Sequence, residues 1–405
     1  MANEWLDLPF SEAVLVNPTT SLERGKVYPF VEMAAISAGT RDVKCSEQRE
    51  FSGGGSKFRD RDTLMARITP CLENGKIARF QAPEGQPVGH GSTEFIVIRG
   101  RPDVSDNDFA YYLTISPEVR HFAISQMTGS SGRQRVPTDA FDAISIPLPP
   151  LDEQKAIASV LGALDDKIEL NRRTNVTLEA MAQTLFKSLF QISDAATLSE
   201  GWREVSFSET IEVLGGGTPK TSNPEYWNGD IPWFSVVDAP SDSDVFVIDT
   251  EKKITRAGVE NSSTQILPVG TTIISARGTV GKVALVGVPM AMNQSCYGIR
   301  GTIGKKGFFS YFSTHALVST LQQRAHGSVF DTITRDTFSS VRVIAPPMPI
   351  VEKFEEDISP LMTRILGNLF ESRKLARLRD TLLPKLLIGE LSVADLVAKG
   401  TEVGK

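Results

Sequence analysis

The sequence predicts an α+β protein in which two similar, pseudo-symmetric globular domains are separated by two long antiparallel coiled-coil helices. Three observations predict this fold class. The chain has 405 residues, which is too long for one ordinary core, so two domains are expected. Its two halves resemble each other at an offset of about 197 residues. Each half ends in a long segment whose apolar residues follow heptad spacing.

The composition is that of an ordinary folded protein. Hydrophobic residues make up 40% and charged residues 23%, which argues against disordered and fibrous classes. The sequence shows neither a basic leader with an apolar run nor an apolar stretch of membrane-spanning length, so neither secretion nor membrane insertion is predicted. Cys45, Cys71 and Cys296 are widely scattered. They indicate no disulfide framework and no metal site, and we predict a cytoplasmic location.

The repeat is defined by landmarks that recur in the same order. A Trp-x-x-Leu/Val-x-Phe-Ser-Glu motif begins at Trp5 and again at Trp202. Ile-Arg-Gly occurs at 98–100 and at 299–301, and each half reaches a Pro-Pro pair before its long segment. The chain therefore resembles an internal duplication. The predicted segments are a first domain at 1–148, a first helix at 149–192, a second domain at 193–345, a second helix at 346–392 and a tail at 393–405.

The two long segments share one heptad frame. In an antiparallel pair, the duplication places Asn171 opposite Ser372 and Asn175 opposite Asn368, as a polar layer that disfavours slipped registers. The alternative is that these side chains face solvent or a partner. Pro360 is predicted, with Pro384, to kink the second helix or to delimit its strongest part. The predicted core of the helix pair consists of Leu161, Leu164, Ile168, Asn171, Asn175, Leu178, Ile358, Leu361, Ile365, Asn368, Ser372 and Leu375.

Basic residues in the loops of the domains are candidates for contact with nucleic acid. The net charge of −6 weighs against such contact, because phosphate neutralisation by Lys and Arg supplies much of the affinity. A basic groove on an acidic body is nevertheless compatible with binding. Arg suits guanine edges, whereas Lys and the amides of Gly turns suit phosphates. The candidates are Lys57, Arg59, Arg61, Arg67, Lys76, Arg133, Arg135, Lys220, Arg277, Lys282 and Arg335.

Catalytic motifs are not evident in the sequence. The segment from Gly215 to Thr221 is superficially similar to a phosphate-binding loop, but Pro219 stands where a glycine must precede Lys220. The four histidines lack metalloprotease spacing, and no nucleophile elbow, methyltransferase motif or dinucleotide fingerprint is found. We therefore predict a chain that is not an enzyme.

Several motifs together resemble one known family. They are Pro149-Pro-Leu-Asp-Glu-Gln154 before the first helix, Gly215-Gly-Gly-Thr-Pro-Lys220 leading to Gly229-Asp-Ile-Pro-Trp233, and Ser275-Ala-Arg-Gly-x-x-Gly-Lys282. Over the entire chain, the sequence resembles the specificity subunit of type I restriction-modification enzymes. It departs from the pattern at Val351, which stands where the first half has an aspartate, and in lacking a clear Gly-Thr-Pro segment in the first half.

The resemblance implies two target-recognition domains, each reading one half of a bipartite, asymmetric site in double-stranded DNA. The helices would set the spacing between the half-sites and dock two methyltransferase subunits, with restriction subunits completing the complex. The resemblance places S-adenosylmethionine, ATP and Mg on those partners and no cofactor in this chain. The competing interpretation is a coiled-coil scaffold or interaction protein without sequence-specific DNA binding. A stand-alone enzyme of unknown type is a third possibility.

Overall fold

The computed structural model describes residues 5–130, 132–190, 200–240, 244–324 and 332–396. The chain divides into two compact units. The first unit comprises residues 1–169 and 373–405, and the second comprises residues 170–372. Both long helices contribute one part to each unit, so each unit contains a globular domain together with a section of both helices.

The first globular domain alternates short strands with two helices of moderate length. Its elements are β1 (Leu6–Pro9), α1 (Phe10–Ala13), β2 (Val14–Val16), β3 (Val27–Val31), β4 (Asp42–Lys44), β5 (Glu47–Glu50), β6 (Ser56–Arg59), β7 (Thr63–Ala66), β8 (Ile77–Gln81), β9 (Val88–Gly91), β10 (Phe95–Gly100), α2 (Asn107–Ile115), α3 (Pro117–Ser125) and β11 (Ser145–Leu148). Helix α4 (Leu151–Phe190) follows.

The second globular domain has a similar sequence of elements. They are β12 (Arg203–Ser206), β13 (Ile211–Gly215), β14 (Trp227–Phe234), β15 (Phe246–Val247), β16 (Lys253–Ile254), α5 (Arg256–Glu260), β17 (Thr272–Ser275), β18 (Val283–Val286), β19 (Ala291–Met292), β20 (Cys296–Gly301), α6 (Phe308–Arg324), α7 (Arg335–Ser340) and β21 (Arg342–Ala345). Helix α8 (Met348–Leu387) ends this part of the fold.

The strand order is the same in both domains. The first has a five-stranded sheet in the order β2-β10-β7-β8-β4, and the second has the order β13-β20-β17-β18-β15. In each sheet only the last pair is parallel. A two-stranded ribbon closes each domain, β1 with β11 and β12 with β21. The predicted α+β class and the pseudo-symmetric duplication are confirmed.

A second, smaller sheet covers part of each domain. It has the order β5-β3-β9-β6 in the first domain and β16-β14-β19 in the second. The parallel pair β3 with β9 corresponds to the parallel pair β14 with β19. In the first domain the side chains of Val31, Phe58, Phe80 and Phe95 form a buried cluster. Burying such side chains stabilises the fold by about 1.5 to 3 kcal/mol each.

The long helices pack on each other as an antiparallel pair within each unit. In the first unit, Ile157 and Leu161 near the start of α4 share a core with Leu383 and Leu386 near the end of α8. In the second unit, Phe186 near the end of α4 shares a core with residues near the start of α8, among them Phe354. Each helix has 40 residues and is therefore about 60 Å long.

The polar layer lies in the second unit and has the predicted partners. The Asn171 amide donates to the Ser372 hydroxyl at 3.2 Å and to Glu371 at 2.9 Å. The Asn368 amide donates to the Asn175 Oδ1 at 2.8 Å. Asn171, Asn175 and Asn368 are buried, so these groups do not face solvent.

The other residues of the predicted helix-pair core differ in burial. Leu161, Ile358 and Ile365 are fully buried. The remaining members are half-buried, namely Leu164, Ile168, Leu178, Leu361, Ser372 and Leu375. Asp165 is more buried than its neighbour Leu164, because it is held between α2 and α8.

Pro360 and Pro384 do not interrupt the second helix, since α8 is continuous from Met348 to Leu387, while the kink expected at them stays a prediction. A proline inside a helix costs roughly 3 kcal/mol. Pro360 is exposed, while Ile358 and Met362 on either side of it are fully buried. Burial of the flanking side chains offsets the lost backbone hydrogen bond, and tertiary packing overrides the local preference.

The predicted tail is described only to residue 396, and the rest lies outside the described residues. Leu391, Val393 and Leu396 pack against the core of the first unit. Among the helices of the described residues, none combines the length and the apolar character needed to cross a bilayer.

Candidate nucleic-acid interface

Two predicted cations of the first domain lie on one edge strand. Lys57 and Arg59 are two residues apart in β6, so their side chains point to the same face of the strand. Phe58, between them, points the other way and is fully buried. The alternation holds the strand against the core and leaves Arg59 exposed and Lys57 half-buried.

An aromatic layer lies beneath Lys57 and the neighbouring Arg49. His90 contacts Phe30 and Phe51 edge-on, with ring centroids 5.0 and 5.2 Å apart. The Lys57 ammonium lies 5.1 Å from the centre of the Phe51 ring, and the Arg49 guanidinium lies 3.5 Å from the centre of the Phe30 ring. Such contacts favour a fixed position for the cation. Burial is the main cause that lowers the pKa of His90, so this ring is neutral at neutral pH.

A buried ion pair fixes the turn that presents Arg59. Asp62, which is fully buried, accepts hydrogen bonds from Arg99 Nε at 2.7 Å and Nη2 at 2.6 Å. The same carboxylate accepts the backbone N–H of Arg59 at 2.8 Å. Arg61 lies in this turn, between Arg59 and Asp62. Its φ is 66°, a conformation that non-glycine residues seldom adopt. Sequence reasoning missed this pair.

Four other predicted cations of the first domain are engaged within the protein. Arg61 forms an ion pair with Asp108. Arg67 Nη2 donates to the Val136 carbonyl at 2.8 Å, and Lys76 Nζ donates to the Met33 carbonyl at 2.9 Å. Arg135 pairs with Glu94 at 2.7 Å. These contacts give each side chain a structural role.

Arg133 is the remaining predicted cation of the first domain, and it is exposed. Arg61 and Arg135 are exposed as well, but their side chains are held in ion pairs. Among the described residues, Lys57, Arg59 and Arg133 are the first domain's candidates whose side chains make no such ion pair or hydrogen bond within the protein.

In the second domain the clearest candidate surface is the glycine loop, which we define as residues 215–221. Its backbone is held by indole groups: Trp233 Nε1 donates to the Gly217 carbonyl at 2.9 Å, and Trp227 Nε1 donates to the Lys220 carbonyl at 3.3 Å. The two indoles contact each other edge-on at 5.1 Å. Lys220 is exposed at the end of this anchored segment, so the loop presents a cation from a fixed backbone.

The glycines of this loop are required by close contact. A Cβ atom on Gly216 would lie 2.0 Å from the Asn293 carbonyl oxygen, and one on Gly217 would lie 2.3 Å from the Ser263 hydroxyl. The Gly217 N–H also donates to the Met292 carbonyl at 3.0 Å. The Thr218 hydroxyl donates to Gln294. The loop therefore cannot accept a side chain at these positions without moving.

The structure indicates which first-half loop corresponds to the glycine loop. The glycine loop follows β13, whose counterpart by strand order is β2. The segment after β2 begins with Asn17, which has φ of 50° and whose side chain accepts the Val97 N–H at 2.9 Å. The strand registers place Asn17 level with Leu214 of the second domain, so the segment after β2 takes the place of the glycine loop although its sequence has no Gly-Thr-Pro motif.

The remaining candidates of the second domain lie on other loops. In the turn that begins at Ser275, the Ser275 hydroxyl donates to the Thr279 carbonyl at 2.6 Å and accepts the Lys282 N–H at 2.8 Å. Arg277 and Lys282 are exposed on this turn. Arg335 is exposed at the start of α7 and donates to the Val213 carbonyl at 3.2 Å.

A half-buried histidine in the second unit gives a testable pH dependence. The His315 ring in α6 contacts Tyr311 edge-on at 4.7 Å, and burial lowers the pKa of His315 to about 4. The unfolded chain takes up a proton near pH 6.5. The contribution of His315 to the free energy of unfolding is therefore fully present above about pH 6.5, and it is lost as the pH drops toward 4. We expect this residue to make the second unit about 2 kcal/mol less stable at pH 5 than at pH 7.

Urea unfolding of the wild-type chain and of His315→Ile at the two pH values measures this contribution. Isoleucine is the matched replacement, because Ile115 occupies the corresponding position of α2. The variant should lose the part of the pH dependence that comes from His315. An equal pH dependence in both proteins would contradict the assignment.

Comparison with known proteins gives a family match in both halves. The family model for the type I restriction modification DNA specificity domain matches residues 73–180 and 199–371. The specificity subunit of the type I restriction enzyme HindI from Haemophilus influenzae is 25% identical over 372 residues, covering 74% of this chain and 81% of that protein. The EcoEI specificity subunit from Escherichia coli is 34% identical over 213 residues, covering 50% of this chain and 35% of that protein.

A solved structure has a similar fold. The S subunit of a type I restriction-modification system from M. genitalium is 15% identical, covers 95% of this chain and 96% of its own, and superposes with a TM-score of 0.55. At this identity the likeness concerns the fold alone.

Proposed function

Because the chain belongs to the type I restriction-modification DNA specificity family, we propose that it is the specificity subunit of such a system and that it selects a bipartite, asymmetric site in double-stranded DNA. The observation that carries the proposal is the family match in both halves, together with the identical strand order of the two domains. A duplicated recognition domain suits a site with two separate halves. The scaffold alternative is not favoured, because the matching family is described by DNA specificity.

Each domain supplies a surface suited to this role. In the first domain, Lys57 and Arg59 extend from an edge strand, and the Lys57 ammonium lies over the ring of Phe51. In the second, Lys220 extends from the anchored glycine loop. Cations held on fixed backbone segments suit base edges and phosphates, because little conformational freedom is lost on binding. We propose that Arg133, Arg277, Lys282 and Arg335 add phosphate contacts.

The face of α4 in the second unit suits a helix of a partner subunit. Leu170 and Met181 lie on the same side of the helix and are 56% and 53% exposed. On this side the hydroxyls of Thr174, Thr177 and Thr184 donate to backbone carbonyls four residues earlier. The face therefore presents methyl groups and has few donors left to satisfy. We propose that it docks a methyltransferase subunit.

The chemistry of the complex is assigned to the partners under this proposal. Two methyltransferase subunits would carry S-adenosylmethionine and transfer the methyl group, and restriction subunits would use ATP and Mg. This chain would contribute recognition and docking, with no catalytic centre of its own. The proposal accords with the specificity-subunit names of the relatives.

The test is a comparison of genome-wide DNA methylation in the host with and without this gene. We expect deletion to remove methylation from one bipartite motif, in which two defined half-sites flank a spacer of any sequence. Restoring the gene should restore that motif. A methylome that is identical in the two strains, while the methyltransferase partner is expressed, would reject the function.

A further inference from the structure

A buried polar triad in the first unit is replaced by apolar residues at the equivalent described positions of the second. Asp165 of α4 accepts hydrogen bonds from the Tyr112 hydroxyl at 2.7 Å and from Arg379 Nη1 of α8 at 2.6 Å. The side chains of Asp165 and Arg379 are 3% and 8% exposed. Arg379 also donates to Asp380 at 2.9 Å. The triad thus joins the first domain to both helices of its unit.

The duplication places three apolar residues at the same positions in the second unit. Phe312 corresponds to Tyr112: the rings of Tyr111 and Tyr112 lie 5.0 Å apart at 72°, and those of Tyr311 and Phe312 lie 5.1 Å apart at 79°. In the shared heptad frame, Met362 is the residue equivalent to Asp165, and Ala182 is the residue equivalent to Arg379. Phe312, Met362 and Ala182 are all buried in one core.

The polar layer of the helix pair, by contrast, is nearly the same in both halves. Asn171 of α4 is equivalent to Asn368 of α8, and Asn175 is equivalent to Ser372. If α4 paired with α4 of a second chain in the same antiparallel register, Asn171 would face Asn175 of that chain, and amide groups would again meet amide groups. The layer fixes the register, but it does not distinguish α8 from a second copy of α4.

The triad does make this distinction. In a pair of two α4 helices, Asp165 would face Ala182 of the second chain, and in a pair of two α8 helices Arg379 would face Met362. Each would leave a buried charge without its partner, which is strongly unfavourable. We propose that the Tyr112–Asp165–Arg379 triad makes the two halves of this duplicated chain distinguishable, so that α4 pairs with α8 and not with a second copy of itself.

The test uses two full-length variants that make the helices alike in opposite ways. The first copies the second unit into the first: Tyr112→Phe, Asp165→Met and Arg379→Ala. The second is the reciprocal graft: Phe312→Tyr, Met362→Asp and Ala182→Arg. The first variant has no charged residue at these positions in either unit, whereas the second has an Asp–Arg pair in both units. An outcome that the two variants share therefore comes from making the units alike and not from adding or removing charge.

Unlabelled and 15N-labelled chains are mixed in urea and refolded together at rising protein concentration. Lysine cross-linking of the refolded protein then reports which helices pair. Pairing of α4 with α8 brings Lys167 level with Lys374. Pairing of two α4 helices brings Lys167 of one chain within about 12 Å, along the axis, of Lys187 of the other. Isotope labels identify this product as interchain.

We expect monomers and little interchain Lys167–Lys187 product from the wild-type chain, and at least tenfold more of that product from each graft, rising with concentration. Circular dichroism checks that each variant is folded. Absence of the product from a folded graft overturns the proposal, as does a dimer that lacks it. An equal yield from the wild-type chain overturns it as well, whether or not the grafts fold.

Discussion

Replacing Arg379 with alanine is expected to destabilise the first unit by about 3 to 5 kcal/mol, because Asp165 then remains buried without its charged partner. The Asp165→Ala variant should have a smaller effect, since the guanidinium of Arg379 keeps its ion pair with Asp380. The pair is almost fully buried, so solvent does not screen the loss. Burial and Asp165 also raise the pKa of the Tyr112 hydroxyl, which keeps that group a hydrogen-bond donor.

Hydrogen exchange of peptides from α4 and α8, with urea unfolding of the full chain, measures the effect. Arg256→Ala is the matched control, because its partner Glu260 is also a carboxylate but both side chains are largely exposed, at 72% and 59%. We expect the control to change stability by less than about 1 kcal/mol. Equal effects of Arg379→Ala and Arg256→Ala would show that the buried pair contributes no more than a surface pair.

The arrangement of the helices could be predicted from the sequence because two independent patterns define it. The heptad spacing identified the face of each helix that packs on the other. The duplication supplied the symmetry that pairs Asn171 with Ser372 and Asn175 with Asn368. The structure has these pairs. The continuity of α8 through Pro360 was not predicted, because a local rule on proline does not include the burial of Ile358 and Met362.

Contacts between residues distant in sequence were beyond prediction. Asp62 and Arg99 form a buried pair, but charged residues at the ends of apolar runs are mostly exposed, so the sequence marks neither residue as buried. Lys76 and Arg135 looked like free cations, and only the fold brings Met33 and Glu94 to them. A cation's availability for DNA depends on such contacts.

One motif that carried the family resemblance has a structural role. Gln154, at the start of α4, is fully buried. Its side chain accepts the Asp106 N–H at 2.8 Å and donates to the carbonyls of Val104 and Pro149 at 2.9 and 2.7 Å. Glutamine satisfies all three groups because it has both an acceptor and two donors. The sequence showed that the position is distinctive, and the structure shows what it does.

The central claim is that each domain reads its own half-site. The most direct test changes one domain at a time and measures the methylation motif that each variant produces in the host. Gly217→Ala, which forces the glycine loop away from Ser263, and Lys220→Ala should relax or abolish sequence preference in one half-site. A lost base contact is worth about 1 to 3 kcal/mol of discrimination. Lys57→Ala with Arg59→Ala is the matched change in the first domain.

We expect each set of variants to alter one half of the motif and to leave the other half and the spacer unchanged, in proteins whose melting temperatures confirm that they are folded. If variants of a single domain degrade both half-sites together, or if variants of the two domains alter the same half-site, the account of two separate reading domains is contradicted.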